Sequence, residues 1–390
     1  MKVRGGYIMK EVIMERELSI LKNSVKSFVK EYVLTAEQSQ KDYLKELSEI
    51  EVASIQEKAK VAGLHALGAK KEWGGADLTL YARTIIYEEA AQHRLGLYHP
   101  AVDCFGSELP SLLENCTPKQ IKKYVKPAVI QGKGCFIALW EEHEDNQMER
   151  ITCHAVRSGD EWIINGHKSF IQKMDQSGFG IILVNCQEAN NTLKPTIFIL
   201  ELNDPFKKKE TILIDVQKNY NLTFKDLKIK DNRRIGKVGE GASLMKKWLA
   251  ESQILLSARC LGISIKALDY AQGYAKMRIT RGKTLSEFPS IRTMIANGIM
   301  NLQAARLMVH DAANKIDNGE KDGLIDAQMA KLFSTETAAK IIDDCLQIHG
   351  GAGFAGDLPI ERWYKEIRIA RLDLLKKENI IENIAVSKNL

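Results

Sequence analysis

One short segment of this 390-residue chain gathers side chains that can bind metals. His143 lies among four carboxylates, which belong to Glu141, Glu142, Glu144 and Asp145. Adjacent residues of one loop seldom point at a common centre, and the ligand spacings that mark zinc sites are absent. We therefore interpret the segment as a solvated acidic loop and predict no metal site.

Glycine-rich segments can cradle phosphates when their spacing is right. The sequence GKVGEG, from Gly236 to Gly241, lacks the GxxxxGK[ST] spacing and the strand that should precede it. The chain also lacks a strand–GxGxxG–helix unit, the usual site for a nicotinamide dinucleotide. Neither nucleotide hydrolysis nor nicotinamide binding is predicted.

The seven cysteines are odd in number and include no CxxC pair, which argues against a disulfide framework and against structural zinc. The first residues, MKVRGGYIMKEVIMERE, contain no continuous apolar run, and nowhere do about twenty apolar residues follow one another. We therefore expect a cytoplasmic protein with neither an export signal nor a membrane span.

The charges argue against a nucleic-acid partner. The 56 Lys and Arg residues against 50 Asp and Glu leave a net charge of +6, and the charges are distributed along helical stretches. A nucleic-acid footprint would gather them in one basic arm or stripe. The 45% hydrophobic content is ordinary for a globular protein with a large core.

The elements that position any functional residues fall into three segments, which differ from their neighbours in the spacing of apolar residues. Apolar residues recur at helical spacing from about Glu17 to Lys126, and the period shifts toward two between about Gly134 and Asn232. We predict a mainly α fold with a central β domain. Residues 1–133 would form an N-terminal helical domain, 134–235 a small antiparallel β domain, and 236–390 a C-terminal four-helix bundle.

The C-terminal segment shows the clearest helical pattern. Ser243 is predicted as the N-cap of one long helix, whose apolar stripe continues to Tyr274. Further helical patterns fill residues 291–316, 326–348 and 360 to about 386. Helices of this length pack in pairs and bury each other's apolar faces, as in a bundle.

Five strings of residues resemble those of one family. They are EWGGA (72–76), EWIINGHKSFI (161–171, similar to "YVLNGTKxWIT"), RIGKVGEGASL (234–244, similar to "LLGxxGxGF"), YAKMRITRGKTLSEF (274–288, similar to "YAxxRxxFGxPLxxF") and QIHGGAGF (347–354, similar to "QxxGGxG"). In this order and at these separations they make the chain resemble the acyl-CoA dehydrogenase superfamily. The resemblance covers nearly the whole chain and is strongest from Arg234 to Arg371.

The resemblance implies an FAD site. In the family, FAD lies between the sheet domain and the helical bundle, and a neighbouring subunit helps to hold it. By position, Arg278 resembles the arginine that pairs with the pyrophosphate, and Gln347, Gly350 and Gly351 resemble the segment that contacts the neighbour's FAD. Arginine binds phosphate oxygens in a fork, and glycine lets backbone N–H groups approach closely.

Other family positions beside the flavin are changed. Phe170 keeps an aromatic residue of the "WIT" string, whereas Gln172 replaces its threonine and could donate a hydrogen bond to the flavin. The family's "TEPxAGSD" strand end falls on 139–147, LWEEHEDNQ, where small residues give way to bulk and negative charge. Arg281 stands at the phenylalanine of "RxxFG", and Pro289 replaces the glutamine that follows the later phenylalanine.

The family's catalytic base is also missing. These enzymes remove a proton beside a thioester carbonyl with a glutamate, which must lie within hydrogen-bond reach of that carbon. The "YEGTSEIQ" string should follow Arg371, but the chain reads DLLKKENI at 373–380. Some members place the base on the long helix, where Glu251 stands one residue early, a rotation of about 100°. Gln253 replaces the arginine expected there.

These features leave three hypotheses about function. The first is a flavoprotein oxidoreductase that carries out α,β-dehydrogenation of an acyl thioester bound to CoA or to an acyl carrier protein. The second is a flavin monooxygenase or oxidase on the same fold, which needs no glutamate at that position. The third is a supporting subunit without a base, which would form a hetero-oligomer with a homologous subunit rather than a homo-oligomer. Fold alone does not decide among them.

Overall fold

The structure is a computed structural model. It describes residues 16–39, 47–94, 97, 104–142, 148, 151–187, 192–213, 217–355 and 358–390. The first fifteen residues lie outside these ranges. So does His143 with Glu144 and Asp145, the centre of the metal-binding pattern considered above.

The chain forms two compact units, each built from distant parts of the sequence. One unit takes in Met1–Ala59, Leu78–Cys104 and Glu251–Leu390, and the other takes in Lys60–Asp77 and Phe105–Ala250. Among its described residues the first unit is mainly helical, with one short antiparallel hairpin between Ile279–Thr280 and Lys283–Thr284, and the second unit contains the large sheet.

The helices precede and follow the sheet in sequence. They are α1 (16–39, with a π-helical turn at Val29–Val33), α2 (Glu49–Val61), α3 (Leu80–Ala90), α4 (118–130), α5 (Gly241–Met277), α6 (Pro289–Asp317), α7 (Gly323–His349), α8 (Ile360–Ala370) and α9 (Lys377–Ser387). Helix α5 is 37 residues long, so it extends for about 55 Å at 1.5 Å per residue.

A carboxylate from the far end of another helix caps α3. The Asp317 side chain accepts hydrogen bonds from the backbone N–H groups of Leu80 and Tyr81, each at 2.8 Å. The Thr79 hydroxyl accepts a third from Ala82 N. Helix starts leave such N–H groups unsatisfied, so these contacts tie α3 to the C-terminal end of α6.

A glycine lets α5 approach α3 closely. A Cβ at Gly262 would lie 2.4 Å from Glu88 O and 2.8 Å from Ala91 Cβ. No side chain fits in this space, and the backbones of the two helices are therefore in contact.

The second unit contains an eight-stranded sheet in the order β6-β7-β3-β2-β4-β5-β8, with β1 beside β4. Its strands are β1 (Gly134–Ala138), β2 (His154–Ser158), β3 (Glu161–Gln172), β4 (Ser177–Gln187), β5 (Leu193–Leu200), β6 (Lys207–Leu213), β7 (Gln217–Lys230) and β8 (Arg234–Ile235). Most pairs are antiparallel, as predicted. The pairs β1·β4 and β2·β4 are parallel, and β1 and β2 lie along the same edge of β4.

The inner face of this sheet forms a hydrophobic core. It includes Trp162, Ile164, Ile171, Phe198, Tyr220, Leu222 and Phe224. The Trp162 ring is fully buried, and its Nε1–H donates to Asp231 Oδ1 at 2.8 Å, so burial leaves no polar atom of the ring unsatisfied.

The fold class is confirmed, and two local predictions are corrected. Helix α5 begins at Gly241, so Ser243 is not its N-cap; the Ser243 hydroxyl donates to Glu240 O within the first turn. A Cβ at Gly241 would meet Pro195 O at 2.7 Å, which explains why a glycine starts this helix. The helical pattern from 360 to 386 is broken between α8 and α9, where Leu374 and Leu375 adopt positive φ angles.

No helix among the described residues is both long and apolar enough to cross a bilayer.

Candidate functional site

The predicted phosphate-binding residues meet at one end of the helical bundle. Tyr274, near the end of α5, stacks on His349, the last residue of α7, with ring centroids 4.4 Å apart and planes at 27°. Arg278 follows Tyr274 by one helical turn, and Gln347 precedes His349 by two residues. The stack therefore places Arg278 and the Gln347–Gly351 segment at the same end of the helix pair.

The His349 ring is held in a defined orientation. Its Nδ1 lies 2.8 Å from Cys345 O, one helical turn earlier, and the ring is buried. Burial lowers the pKa of His349, although the contact with the Cys345 carbonyl opposes the change. The ring is therefore neutral at pH 7, with Nδ1–H donating to that carbonyl, and it serves as a packing surface for Tyr274.

Arg278 presents a cation with no protein partner. Its backbone N–H donates to Tyr274 O, and its carbonyl accepts from Leu285 N, so the main chain is fixed. The side chain is exposed, and no hydrogen bond or ion pair of its guanidinium exists within the described part of the chain. A fixed backbone with a free guanidinium is suited to an anionic ligand such as a phosphate.

The glycines after α7 leave their backbone accessible. Gly350 ends the helix at φ 56° and ψ −135°, a conformation essentially restricted to glycine. A Cβ at Gly351 would meet nothing within 4 Å. The segment therefore offers open backbone beside an exposed Gln347, and with the free Arg278 guanidinium it fits the pyrophosphate of FAD.

Phe170 lies on the sheet in a strained conformation. Its φ is 58°, the left-handed region, and the β3·β7 pairing is irregular between Lys168 and Ile171. Asn221 on β7 accepts the Phe170 N–H through Oδ1 at 3.2 Å, and Phe170 is 50% exposed. A non-glycine residue in this region costs on the order of 1–3 kcal/mol, and such strain is concentrated at functional sites.

Gln172, the other predicted flavin residue, ends the same strand. It pairs with Asn219 of β7 in the sheet and is half-buried. Phe170 and Gln172 thus lie close together on β3, in the sheet unit.

A buried ion pair lies behind this part of the sheet. The Lys168 side chain is fully buried, and its Nζ donates to Leu139 O and to Glu141 Oε1, both at 2.9 Å. Glu141 also accepts from the Thr152 backbone at 2.8 Å and hydroxyl at 2.6 Å. Ser169 N donates to Trp140 O. These contacts join the end of β1 to β3 just before Phe170.

The ion pair corrects our interpretation of Glu141. Burial by itself raises the pKa of Glu141, but the Lys168 charge and the Thr152 hydrogen bonds outweigh it and hold the pKa below its ordinary value. Glu141 is therefore an ionised structural carboxylate paired with Lys168, and it does not belong to a solvated loop. Its negative charge is neutralised locally and is not presented to a ligand.

A short, pinned turn occupies the position of the family's base loop. Lys331 of α7 is fully buried, and its Nζ donates to Arg371 O at 3.0 Å and to Leu375 O at 2.9 Å. Gln253 of α5 donates from Nε2 to Leu374 O at 2.7 Å. Burial lowers the pKa of Lys331 to about 8, although the Asp373 carboxylate opposes the change. Two helices thus hold three carbonyls of this turn, which contains no glutamate.

The candidate base Glu251 is buried, at 6% exposed, and does not face solvent. It precedes Arg278 by 27 residues, which is about 40 Å along α5. One chain therefore does not place both residues beside the same reacting atoms.

Two important residues escaped the sequence reasoning. Lys331 and Lys168 were not singled out because lysines are usually exposed. The sequence did contain a signal that Lys331 is buried, because the apolar residues Ala327, Ala330 and Ile341 flank it on the same helix. Among the described residues, no three His, Cys, Asp or Glu side chains come close enough together to hold a metal ion.

Comparison with known proteins places the chain in a family. Residues 15–133 match the model for the acyl-CoA dehydrogenase N-terminal domain, and 239–372 match the model for the C-terminal domain. A 3-(aryl)acrylate reductase of Clostridium sporogenes is 30% identical over 334 residues, which are 84% of this chain and 87% of the relative. The chain belongs to the acyl-CoA dehydrogenase family.

Solved structures support the fold of this acyl-CoA dehydrogenase family member. An FAD complex of PigA superposes with a TM-score of 0.85 at 22% identity and covers 96% of this chain and 98% of that one. Butyryl-CoA dehydrogenase from Megasphaera elsdenii superposes with a TM-score of 0.82 at 22% identity, with the same coverage. The predicted resemblance is thereby confirmed at the level of family and fold.

Proposed function

We propose that this family member is an FAD-dependent oxidoreductase that dehydrogenates an acyl thioester between its α and β carbons. The thioester would be carried by CoA or by an acyl carrier protein. FAD, when bound, would accept the hydride from the β carbon. The protein's own residues would bind the cofactor, orient the thioester and hold the α proton.

The observation that supports FAD binding most directly is the free guanidinium of Arg278. It lies at the same bundle end as the open backbone of Gly350 and Gly351, and the Tyr274–His349 stack holds the two segments in register. Phe170 presents an aromatic face on the sheet, and the neighbouring Gln172 ends its strand. Following the family, we infer that Arg278 and Gln347 contact the FAD of a neighbouring subunit in an oligomer.

The Arg278→Ala variant tests this assignment. Removing a charged phosphate contact should weaken FAD binding by about 1.5–3 kcal/mol, roughly 10- to 100-fold in Kd. Lys276→Ala is the matched control, because it removes one exposed positive charge two residues away. Kd is measured by flavin fluorescence as FAD is titrated into the apoprotein. Equal FAD retention by both variants would remove Arg278 from the site.

Glu251 is the base that we propose if the chain dehydrogenates by itself. Glu251→Gln keeps the size of the side chain and removes the basic carboxylate, so flavin reduction by substrate should slow by about 10²- to 10⁴-fold. The rate is measured by anaerobic bleaching of the flavin with a panel of acyl thioesters. Unchanged reduction kinetics with intact FAD content would clear Glu251 of this role.

A second candidate function is a supporting subunit in a mixed assembly. The pinned turn at 371–375 favours it, because this turn has no glutamate and is held in place by Lys331 and Gln253. The bundle end that we propose binds phosphate keeps Arg278 with a free guanidinium, as a subunit that lends residues to its neighbour would require. A turn without a glutamate is also compatible with an oxidase or monooxygenase. Such an enzyme would consume oxygen in proportion to the substrate that it converts.

Co-expression with a glutamate-bearing homologue distinguishes the two candidates. A supporting subunit should form a stable complex that contains fewer flavins than chains, measured by absorbance and mass photometry. If the chain alone forms a homo-oligomer with one FAD per subunit and turns over an acyl thioester, the supporting-subunit proposal is wrong.

A further inference from the structure

The β6–β7 hairpin carries an excess of positive charge. Residues 207–230 contain seven lysines and three acidic residues, so the hairpin contributes +4 to a chain whose net charge is +6. This part of the sheet therefore has a local excess of positive charge.

Five of these lysines have neither an ion pair nor a contact with an aromatic ring. Lys218 lies 3.4 Å from Asp175 and 3.3 Å from Glu210, and the Lys208 ammonium lies over the Tyr220 ring. The other five are exposed, and their ammonium groups have no ion-pair or hydrogen-bond partner in the described chain. We call them the basic track: Lys207, Lys209, Lys225, Lys228 and Lys230. Five unpaired like charges on one hairpin repel one another, which a partner of opposite charge would relieve.

The basic track lies on the outer face of the sheet. Lys207 and Lys209 pair with Thr223 and Asn221 of β7, so they share the face opposite the hydrophobic core. Farther along β7, Leu227 and Ile229 are buried in the core, and the alternating residues Lys228 and Lys230 therefore point outward. Lys225 lies between these two groups.

The track begins beside Phe170. Lys209 pairs with Asn221, and Asn221 accepts the hydrogen bond of Phe170 N. The three residues thus form one row across β6, β7 and β3, with the exposed aromatic ring at its end. From this row the track continues along β7 to Lys230, nine residues away, which is about 30 Å in a strand.

This length matches a protein partner better than a small molecule. The phosphates of a free nucleotide carrier lie within one nucleotide and could contact one or two of the lysines. An interface of ordinary size covers about 800 Å² on each partner, which is close to 30 Å across.

We propose that the basic track docks an acidic acyl carrier protein, whose flexible thioester-bearing arm reaches the sheet at Phe170. The proposal builds on the proposed function, because it identifies the carrier of the thioester. Charges at the rim of such an interface chiefly accelerate encounter and make it sensitive to salt.

The experiment uses the FAD-loaded protein and an acidic acyl carrier protein charged with a butyryl group on its phosphopantetheine. The variant Lys225→Gln/Lys228→Gln/Lys230→Gln removes the part of the track remote from Phe170. The control Lys122→Gln/Lys126→Gln/Lys133→Gln removes three exposed lysines elsewhere in the same unit. Binding is measured by isothermal titration calorimetry at 50 and 300 mM salt, and KM is measured with butyryl-CoA.

The track variant should bind the carrier about tenfold more weakly at 50 mM salt and should lose most of the salt dependence. Its KM for butyryl-CoA should stay within about twofold of the wild type, and the control variant should match the wild type throughout. Undiminished carrier binding by the track variant would overturn the proposal. An equal loss with butyryl-CoA would also overturn it, since the track would then recognise phosphates.

A third outcome identifies a different partner. If carrier binding is unchanged but flavin reoxidation by a protein electron acceptor slows in the track variant, the track docks that acceptor and the proposal is wrong. Carrier binding is measured without turnover, so it tests the docking site separately from the proposed reaction. If the carrier binds through the lysines but the substrate never reduces the flavin, the docking proposal holds and the proposed dehydrogenation is wrong.

Discussion

Phe170 offers a test in which stability and ligand binding should respond differently. The structure holds this residue at φ 58°, and its side chain is 50% exposed. In an ordinary strand, glycine is less stable than alanine by about 0.5–1 kcal/mol because it loses more backbone entropy on folding. At a left-handed position the order should reverse, because alanine keeps the strain and glycine removes it.

The magnitudes follow from the geometry. Left-handed backbone costs a residue with a Cβ about 1–2 kcal/mol, so Phe170→Gly should be more stable than Phe170→Ala by about 1 kcal/mol after the entropy of glycine is subtracted. Both variants lose the burial of half a phenylalanine side chain, about 1 kcal/mol. Phe170→Gly should therefore stay close to the wild type in stability, and Phe170→Ala should fall about 1 kcal/mol below it.

Urea unfolding of the apoproteins, followed by circular dichroism, measures these differences without the stabilisation that bound FAD would add. FAD titration of the same proteins should show that both variants lose affinity about fivefold, because the aromatic contact is absent from both. If Phe170→Ala proves more stable than Phe170→Gly, the residue does not hold a strained conformation for function and the reasoning is refuted.

Two buried lysines give further predictions. The folded-state pKa of Lys331 lies near 8, below its unfolded value of 10.5, so its contribution to stability is least favourable below pH 8 and improves as pH rises between the two values. The stability of the wild type relative to Lys331→Met should therefore rise by about 2 kcal/mol from pH 8 to pH 9.5 in urea unfolding. The wild type must be compared with Lys331→Met because buried thiols also respond to pH: burial raises the pKa of Cys260 to about 12, so both proteins lose stability as the pH rises. A difference in stability between the two proteins that does not change with pH would contradict the assignment. Lys168→Met should lower the free energy of unfolding by about 3–5 kcal/mol, because it leaves Glu141 buried and unpaired, and the added substitution Glu141→Gln should restore part of the loss in the same assay. No recovery in the double variant would show that Lys168 acts through its bond to the Leu139 carbonyl instead.

The sequence by itself determined the fold class and the family. Helical and strand periods are local properties, since each follows from the backbone geometry of consecutive residues. They located the long helices and the sheet between about 134 and 232, and the five family strings identified the relatives. The strings also singled out Arg278 and the glycines at 350 and 351, because their chemistry depends on residue type and on backbone freedom within a few positions.

Tertiary structure decided which polar groups are buried and what they hold. Lys331 binds a carbonyl 44 residues away, and Lys168 binds one 29 residues away. No local pattern encodes such pairs, because the spacing of residues along a helix or strand is the same whether a lysine faces solvent or a buried carbonyl. The left-handed turn at Leu374 and Leu375 breaks a helical pattern for the same reason: donors from two other helices stabilise three of its carbonyls. Contacts between distant segments outweigh local propensity wherever they satisfy groups that burial would otherwise leave unpaired.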